Sequence, residues 1–418
     1  MARLGGFETS PYIAVALSGG ADSTALLHLL KGWIARQGGT LTALVVDHGL
    51  RAGAAAEARL VRARARAAGI DCHILTWRGK KPASAVQEAA RAARYRLLGD
   101  WCENHGVLHL AVAHHHDDQL ETIHMRARRE SGPDGLAGMS AIRETGWGRI
   151  IRPCLSFSRS DLRESLMAQA IPWVEDPSNQ NLAFERVRVR RALSGGSPEF
   201  VPVDSASGAR VATDRAVARF LAGAAMISPL GYAEFDLEAF RRLSDETGRR
   251  VIGALCAAIG GLEYSPRRAR IDAVREALCG GEFRGRTLGG CRLSEARGNV
   301  LITREAGRCA MEKFAVNAEM FWDNRFRLGP APGPRGVCVG PLLHAGQEER
   351  GKIRRLSPIA SRIPAAAFAA LPAFFRGETL LAVPHLGYGR SSRYDRLLAV
   401  RVRFRPKRSV SNAPFAVV

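Results

Sequence analysis

A short apolar run that ends in Ser18-Gly19-Gly20-Ala21-Asp22-Ser23 constrains this chain more than any other feature. Tyr12–Leu17 is apolar and β-prone, and short enough for a buried strand. Leucines 26, 27, 29 and 30 within Thr24–Leu30 predict a helix directly after it. Two adjacent glycines between a strand and a helix suit a tight turn whose backbone approaches a ligand closely. The free N–H groups of the helix start, with Asp22 or Ser23 as the predicted N-cap, then make an anion site. Ser18 and Ser23 add hydroxyl groups, and Asp22 offers a hard oxygen to Mg²⁺ carried by a polyphosphate. The loop has neither the lysine of GxxxxGK[ST] nor the spacing of GxGxxG.

The SGGADS loop resembles the pyrophosphate-binding loop of the PP-loop, or N-type, ATP pyrophosphatases. That resemblance implies cleavage of ATP to AMP and pyrophosphate, with adenylation of a carbonyl oxygen. The alternative is a plain strand–turn–helix with a Gly-Gly hinge.

Leu41–Val46 reads as a second buried strand, ending in Asp47-His48-Gly49-Leu50-Arg51. Strand, helix and apolar strand form the βαβ rhythm of a parallel sheet, whose ligands sit beyond the carboxyl ends of the strands. Asp47, His48 and Arg51 are therefore expected on the rim that holds the phosphate loop. Asp47 is a candidate for the adenine or ribose edge and Arg51 for a phosphate, with a simple turn as the alternative. Gln87–Trp101 reads as a helix with Arg91, Arg94 and Tyr95 on one side. After a strand at Val107–Val112 stands Ala113-His114-His115-His116-Asp117-Asp118-Gln119-Leu120-Glu121-Thr122. This order does not match HExxH. It suits a rim where imidazoles steady phosphates or move protons and carboxylates hold Mg²⁺ or an ammonium. Asp118 and Glu121, a helical turn apart, can address one cation. Acidic residues complementing a helix dipole would explain Asp117 and Asp118, but not the histidines.

The formal charge of +21 favours polyanionic partners, nucleic acid among them. An arginine-rich proteome is the bland alternative. The 8 cysteines contain no CxxC and no structural-zinc spacing, so they read as free thiols of a reducing cytoplasm. The first ten residues lack the apolar core of a signal peptide, and Val251–Leu262 is too short and glycine-broken to span a bilayer. A cytoplasmic protein without a membrane partner is expected.

Further along stand Arg152-Pro153-Cys154-Leu155, then Trp173-Val174-Glu175-Asp176-Pro177-Ser178-Asn179, and Phe184 to Arg190 with alternating Arg186, Arg188 and Arg190. SGGADS, VDHGLR, ARAARYR, AHHHDDQLET, GLAGM, RPCL, WVEDPSN and FERVRVR occur in the order found in the tRNA(Ile)-lysidine synthetases, and the chain resembles that family over about Pro11 to Arg191. His116 and Val187 depart from the family pattern. The resemblance implies an α/β fold. A Rossmann-like parallel sheet of the adenine-nucleotide α-hydrolase (PP-loop) type is expected over 1–195, and a linker over 196–212. A mainly helical middle domain is expected over 213–315, and a smaller, basic, tRNA-binding α+β domain over 316–418. Helices at Thr213–Met226, Asp236–Ile259 and Pro266–Leu278 and a hairpin over Arg286–Arg304 fit that division.

The implied substrates are ATP with Mg²⁺, free L-lysine and the isoleucine tRNA with a CAU anticodon. Asp22, His114, His115, Asp118 and Glu121 fall at the catalytic positions. Ser18, Gly19, Gly20, Ala21, Asp22, Ser23, Asp47 and Arg51 fall at the ATP-binding ones, and Asp22 and Asp118 at the metal. Arg91, Arg94, Arg186 and Arg190 are the candidates for tRNA or the adenylated intermediate; a homodimer is left open. A sulfur-transferring PP-loop enzyme would need a cysteine pair or cluster that the spacing lacks. An amide synthetase would need a glutaminase segment, and an RNA-binding protein with a vestigial ATP site would release no pyrophosphate.

Overall fold

Side chains along Tyr12–Ala16 (β1) alternate between two buried faces, which requires helices above and below the strand. Ile13 and Val15 join one core with Leu26, Leu27, Val61 and Leu162, whereas Ala14 and Ala16 join another with Leu98, Trp101 and Cys102. The structure, a computed structural model, describes residues 1–50, 53–79, 81–82, 84–128, 133–175, 188–189, 203–281, 283–314, 319–330, 336–391 and 395–410. They form two compact units that meet in sequence at Ala212 and Thr213.

In the first unit β1 is followed by Ala21–Gln37 (α1), Thr40–Asp47 (β2), Ala54–Ala67 (α2), Asp71–Thr76 (β3) and Val86–Asn104 (α3). His109–Ala111 (β4), His116–Ala127 (α4), Pro133–Leu136 (α5), Ile142–Glu144 (β5), Arg149–Ile151 (β6) and Arg159–Met167 (α6) complete it. The sheet order is β3-β2-β1-β4-β6-β5. All pairs are parallel except β5 with β6. From β1 the chain builds outward to β2 and β3 on one side, then returns to β4 on the other. That reversal opens a crevice beyond the carboxyl ends of β1 and β4, where doubly wound sheets bind ligands.

A helix that starts at Val203, inside the stretch expected as a linker, runs to Ala224 and carries the chain from the first unit into the second. The region to residue 315, expected to be mainly helical, also carries a sheet larger than the expected hairpin. Ala225–Ser228, Tyr232–Asp236, Arg286–Leu288, Cys291–Ala296 and Asn299–Arg304 form a five-stranded antiparallel sheet beside the helices. The first of these strands overlaps the end of the helix expected over Thr213–Met226, and the second falls in the short gap before the helix expected from Asp236. The expected hairpin is present, with Cys291 opposite Arg304 and its turn at Arg297 and Gly298. Beyond it Glu312–Lys313, Cys338–Pro341, Pro372–Arg376, Thr379–Val383 and Tyr388–Gly389 make a second five-stranded sheet, and Val402–Phe404 closes a three-stranded one. No helix among the described residues is long and apolar enough to cross a membrane.

A buried charge cluster ties this unit together. Asp323 accepts hydrogen bonds from Arg304 Nη2 at 2.8 Å and Arg325 Nε at 2.6 Å. Arg325 is fully buried, and the Cys309 thiol donates to the same carboxylate at 3.3 Å. Removing one member of a buried network strands the others. Asp323→Asn, which keeps shape and suits the left-handed φ of 52°, should destabilise the protein by about 3 kcal/mol. A urea titration measures it, and an unchanged midpoint would refute the role of the carboxylate.

Candidate active site

The phosphate loop is pre-formed by its own side chains. Ser23 Oγ donates to the Gly20 carbonyl at 3.1 Å, accepts from the Ser18 amide at 3.2 Å and lies 3.0 Å from Ser18 Oγ. Ser23 is buried and Ser18 exposed, so the inner hydroxyl braces the turn while the outer one faces the cavity. Gly19 has a φ of +86° and its carbonyl accepts from the Val174 amide at 2.8 Å. The N-cap of α1 is Gly20, not Asp22 or Ser23, and it makes no side-chain cap. The first-turn amides of α1 therefore have no side-chain oxygen laid across them from the N-cap. They keep the positive end of the helix available to an anion.

Above the loop lies a cavity of about 310 Å³ bordered by Ser18, Gly20, Asp22, Arg94, His114 and Arg159, with Tyr95, Arg163, Glu57 and Glu175 around them. It occupies the crevice between β1 and β4. Arg159 and Arg163 stand one turn apart on α6, a helix started by the Ser158–Asp161 capping box. Arg159 Nε lies 3.8 Å from Asp22 Oδ1, and Arg163 donates to Glu175 at 3.0 Å. The Nε atoms of both arginines are buried without a hydrogen-bond partner among the described residues.

The two histidines separate into different tasks. His114 lines the cavity, and its Nδ1 accepts from Arg152 Nε at 3.2 Å, which leaves the ring proton on Nε2. His115 is buried behind it. Its Nε2 lies 3.6 Å from Asp22 Oδ2 and 3.5 Å from Asp118 Oδ2, and its Nδ1 lies 3.4 Å from Asp117 Oδ2. Burial disfavours the imidazolium, but Asp22, Asp118 and Asp117 outweigh it and raise the pKa of His115. Burial likewise works against the Asp22 carboxylate, yet His115, Arg159 and Arg163 hold its pKa below the ordinary value. Asp118 Oδ2 accepts from the His115 amide at 3.1 Å and closes the start of α4, while Asp117 Oδ2 accepts from the Arg159 amide at 2.9 Å. Gln119 grips the Met139 backbone through both amide atoms, at 2.6 and 2.8 Å, which anchors the glycine-rich loop to α4.

Beside the cavity Arg91, Arg94, Arg143 and Arg152 gather near Tyr95, and Arg126 adds a fifth positive charge close to Arg152. The guanidinium carbons of Arg91 and Arg143 lie 5.2 and 5.3 Å from its ring centre. Arg152 is 6 % exposed, and burial together with Arg143, Arg91 and Arg126 pulls its pKa down to about 10 against a smaller opposing effect of Tyr95. Burial also lowers Arg94. Arg126 donates to the Gly135 and Gly138 carbonyls at 3.0 and 2.9 Å. None of the five forms an ion pair with a carboxylate among the described residues.

Residues 3–195 match the PP-loop domain family. A tRNA(Ile)-lysidine synthase of Ruegeria pomeroyi is 35% identical over 400 residues, which cover 90% of this chain and 88% of that protein. The tRNA(Ile)-lysidine synthase of Anaplasma marginale is 36% identical, over 78% of this chain and 72% of its own length. That of Wolbachia pipientis is 31% identical, over 93% and 92%. The chain belongs to the tRNA(Ile)-lysidine synthase family.

Within that family frame the crevice gathers Ser18, Gly20, Ala21, Asp22, Ser23, Arg94 and His114 of the sequence-derived candidates. Gly19 shapes the loop from beneath, and Arg91 stands behind Tyr95. Asp47 accepts from the Gly49 amide at 2.9 Å at the end of β2 and does not border the cavity. Glu121 is 1 % exposed on α4. Arg51, Arg186 and Arg190 lie outside the described residues. Arg159 and Arg163 were missed by sequence reasoning. Their signal is the capping box at Ser158–Asp161, but no local pattern tells which end of α6 faces the loop.

Among the described residues no group of three His, Cys, Asp or Glu is arranged to hold a metal ion. Asp22 alone fits Mg²⁺ bound mainly by polyphosphate and water: its Oδ1 is buried without a hydrogen-bond partner among the described residues. Asp118 is engaged at the start of α4.

Proposed function

We propose that this chain joins L-lysine to C2 of the wobble cytidine in the CAU anticodon of isoleucine tRNA, through an adenylated cytidine, and so changes decoding from AUG to AUA. The observation that carries the reading is the crevice cavity, which sets a backbone anion site, Asp22 and three arginines around one space.

ATP lies with its β and γ phosphates at the start of α1. The C2 oxygen of the base attacks the α-phosphorus, and pyrophosphate leaves toward the loop amides, Arg159 and Arg163. Mg²⁺, when bound at Asp22, neutralises charge on the polyphosphate. His115 holds Asp22 in place from behind, and His114, with its proton on Nε2, donates to a phosphate oxygen. The lysine ε-amine then attacks C2, loses a proton and expels AMP. Asp118 and Glu121, at the positions the family resemblance marks, are the candidates for placing the lysine ammonium. The anticodon phosphates meet the arginines around Tyr95. In the second unit Arg403 is exposed on the strand whose Val402 and Phe404 are partly buried, Arg401 is exposed just before it, and these charges suit the body of the tRNA.

The test is incubation with Mg²⁺-ATP, labelled lysine and tRNA transcripts with a CAU anticodon on either an isoleucine or a methionine body. Label is expected only in the isoleucine tRNA, with AMP formed in step. Pyrophosphate release without label in either tRNA would reject lysine as the second substrate, and no turnover would reject the whole reading.

A further inference from the structure

A second cavity lies on the opposite side of the phosphate loop from the first. It measures about 320 Å³ and is walled by α1, α2 and the turn that follows α6. This is within the range of small-molecule sites. Its walls are mostly apolar, with Leu27, Val61, Ala65 and Ile171 as the main surfaces. Apart from Thr24, whose hydroxyl donates to the Gly19 carbonyl at 3.4 Å, two polar side chains interrupt them. The Arg64 side chain borders the space, and its Nη1 is buried without a hydrogen-bond partner among the described residues. His28 is the other. Burial and the neighbouring Lys31 lower its pKa, so the ring is neutral at pH 7 and adds a polar contact without a second charge.

Among the described lining residues Arg64 brings the one fixed charge. A carboxylate matches the guanidinium fork. One fixed charge asks for one negative group, and the apolar walls ask for a hydrocarbon body. We propose that this cavity binds a small aliphatic monocarboxylate, its head on Arg64 and its chain against Leu27, Val61 and Ile171. The proposal is independent of the chemistry on the other side of the loop, because neither Arg64 nor His28 borders the ATP cavity.

Octanoate is the probe, titrated calorimetrically into the full-length protein without ATP or tRNA, with octanol as the uncharged control. Saturable binding at one site is expected, with octanol weaker. Arg64→Met keeps the length of the side chain and removes the charge; it should weaken octanoate by about tenfold or more and leave octanol unchanged. Ala68→Phe, on the half-buried wall position after α2, should fill the space and abolish both. Absence of saturable octanoate binding would overturn the proposal. So would octanoate affinity that neither substitution changes in a variant whose circular dichroism matches the wild type.

Discussion

An Asp22→Asn enzyme is expected to form AMP and pyrophosphate at least about a hundredfold more slowly than the wild type, the scale of losing one preorganised electrostatic group at a reacting phosphate. The substitution keeps the shape of the side chain and removes the charge that faces Arg159 and His115. It should also change how stability depends on pH. His115 holds its proton more tightly folded than unfolded, so its contribution is complete below its ordinary value of 6.5 and is lost as pH rises through the raised one. Asp22 holds its proton less tightly folded, so its contribution is complete above 3.8 and is lost as pH falls through the lowered value. The wild type should therefore lose stability on the alkaline side of 6.5, and the variant should lose less there. Single-turnover assays and urea titrations across pH measure both effects. Normal turnover would remove Asp22 from the reaction, and an unchanged pH profile would remove the coupling to His115.

Gly19→Ala should cost the first unit about 4 kcal/mol, combining a left-handed backbone for a residue with a Cβ and an overpacked contact. The φ of +86° is strained for alanine, and a Cβ there would stand 2.4 Å from Val61 Cγ2. Val61 is buried on α2 and β-branched, so its side chain has little freedom to turn away. Adding Val61→Ala should restore the part due to crowding and leave the backbone part. The measurement is the denaturation midpoint of the single and double variants. A single variant within about 1 kcal/mol of the wild type would mean that the loop adjusts freely.

The sheet was legible because its signals are local. Three short apolar runs, Tyr12–Leu17, Leu41–Val46 and Val107–Val112, each followed by a helical stretch or a polar rim, admit few arrangements other than a parallel sheet, and the crevice then follows from topology. The details of the site were not local. Asp22 and Ser23 look like N-caps in sequence, yet Gly20 takes that place because the turn before it carries the left-handed residue at Gly19. His114 and His115 look interchangeable, and only the packing of α4 against the loop sends one to the cavity and the other behind Asp22. Arg159 reaches the site from the far end of the sheet order through α6, a contact no spacing announces. In the second unit the strands at Ala225–Ser228 and Tyr232–Asp236 acquire their identity from pairing with each other and with Asn299–Arg304, far along the chain.

The arginines around Tyr95 bear on how the enzyme would behave before any substrate arrives. Like charges packed without acids repel, and Arg152, Arg143, Arg94 and Arg126 all have their protonated forms disfavoured by burial. An incoming polyanion would offset that repulsion, and its hold would weaken as ionic strength rises, because simple salt offsets the same charges.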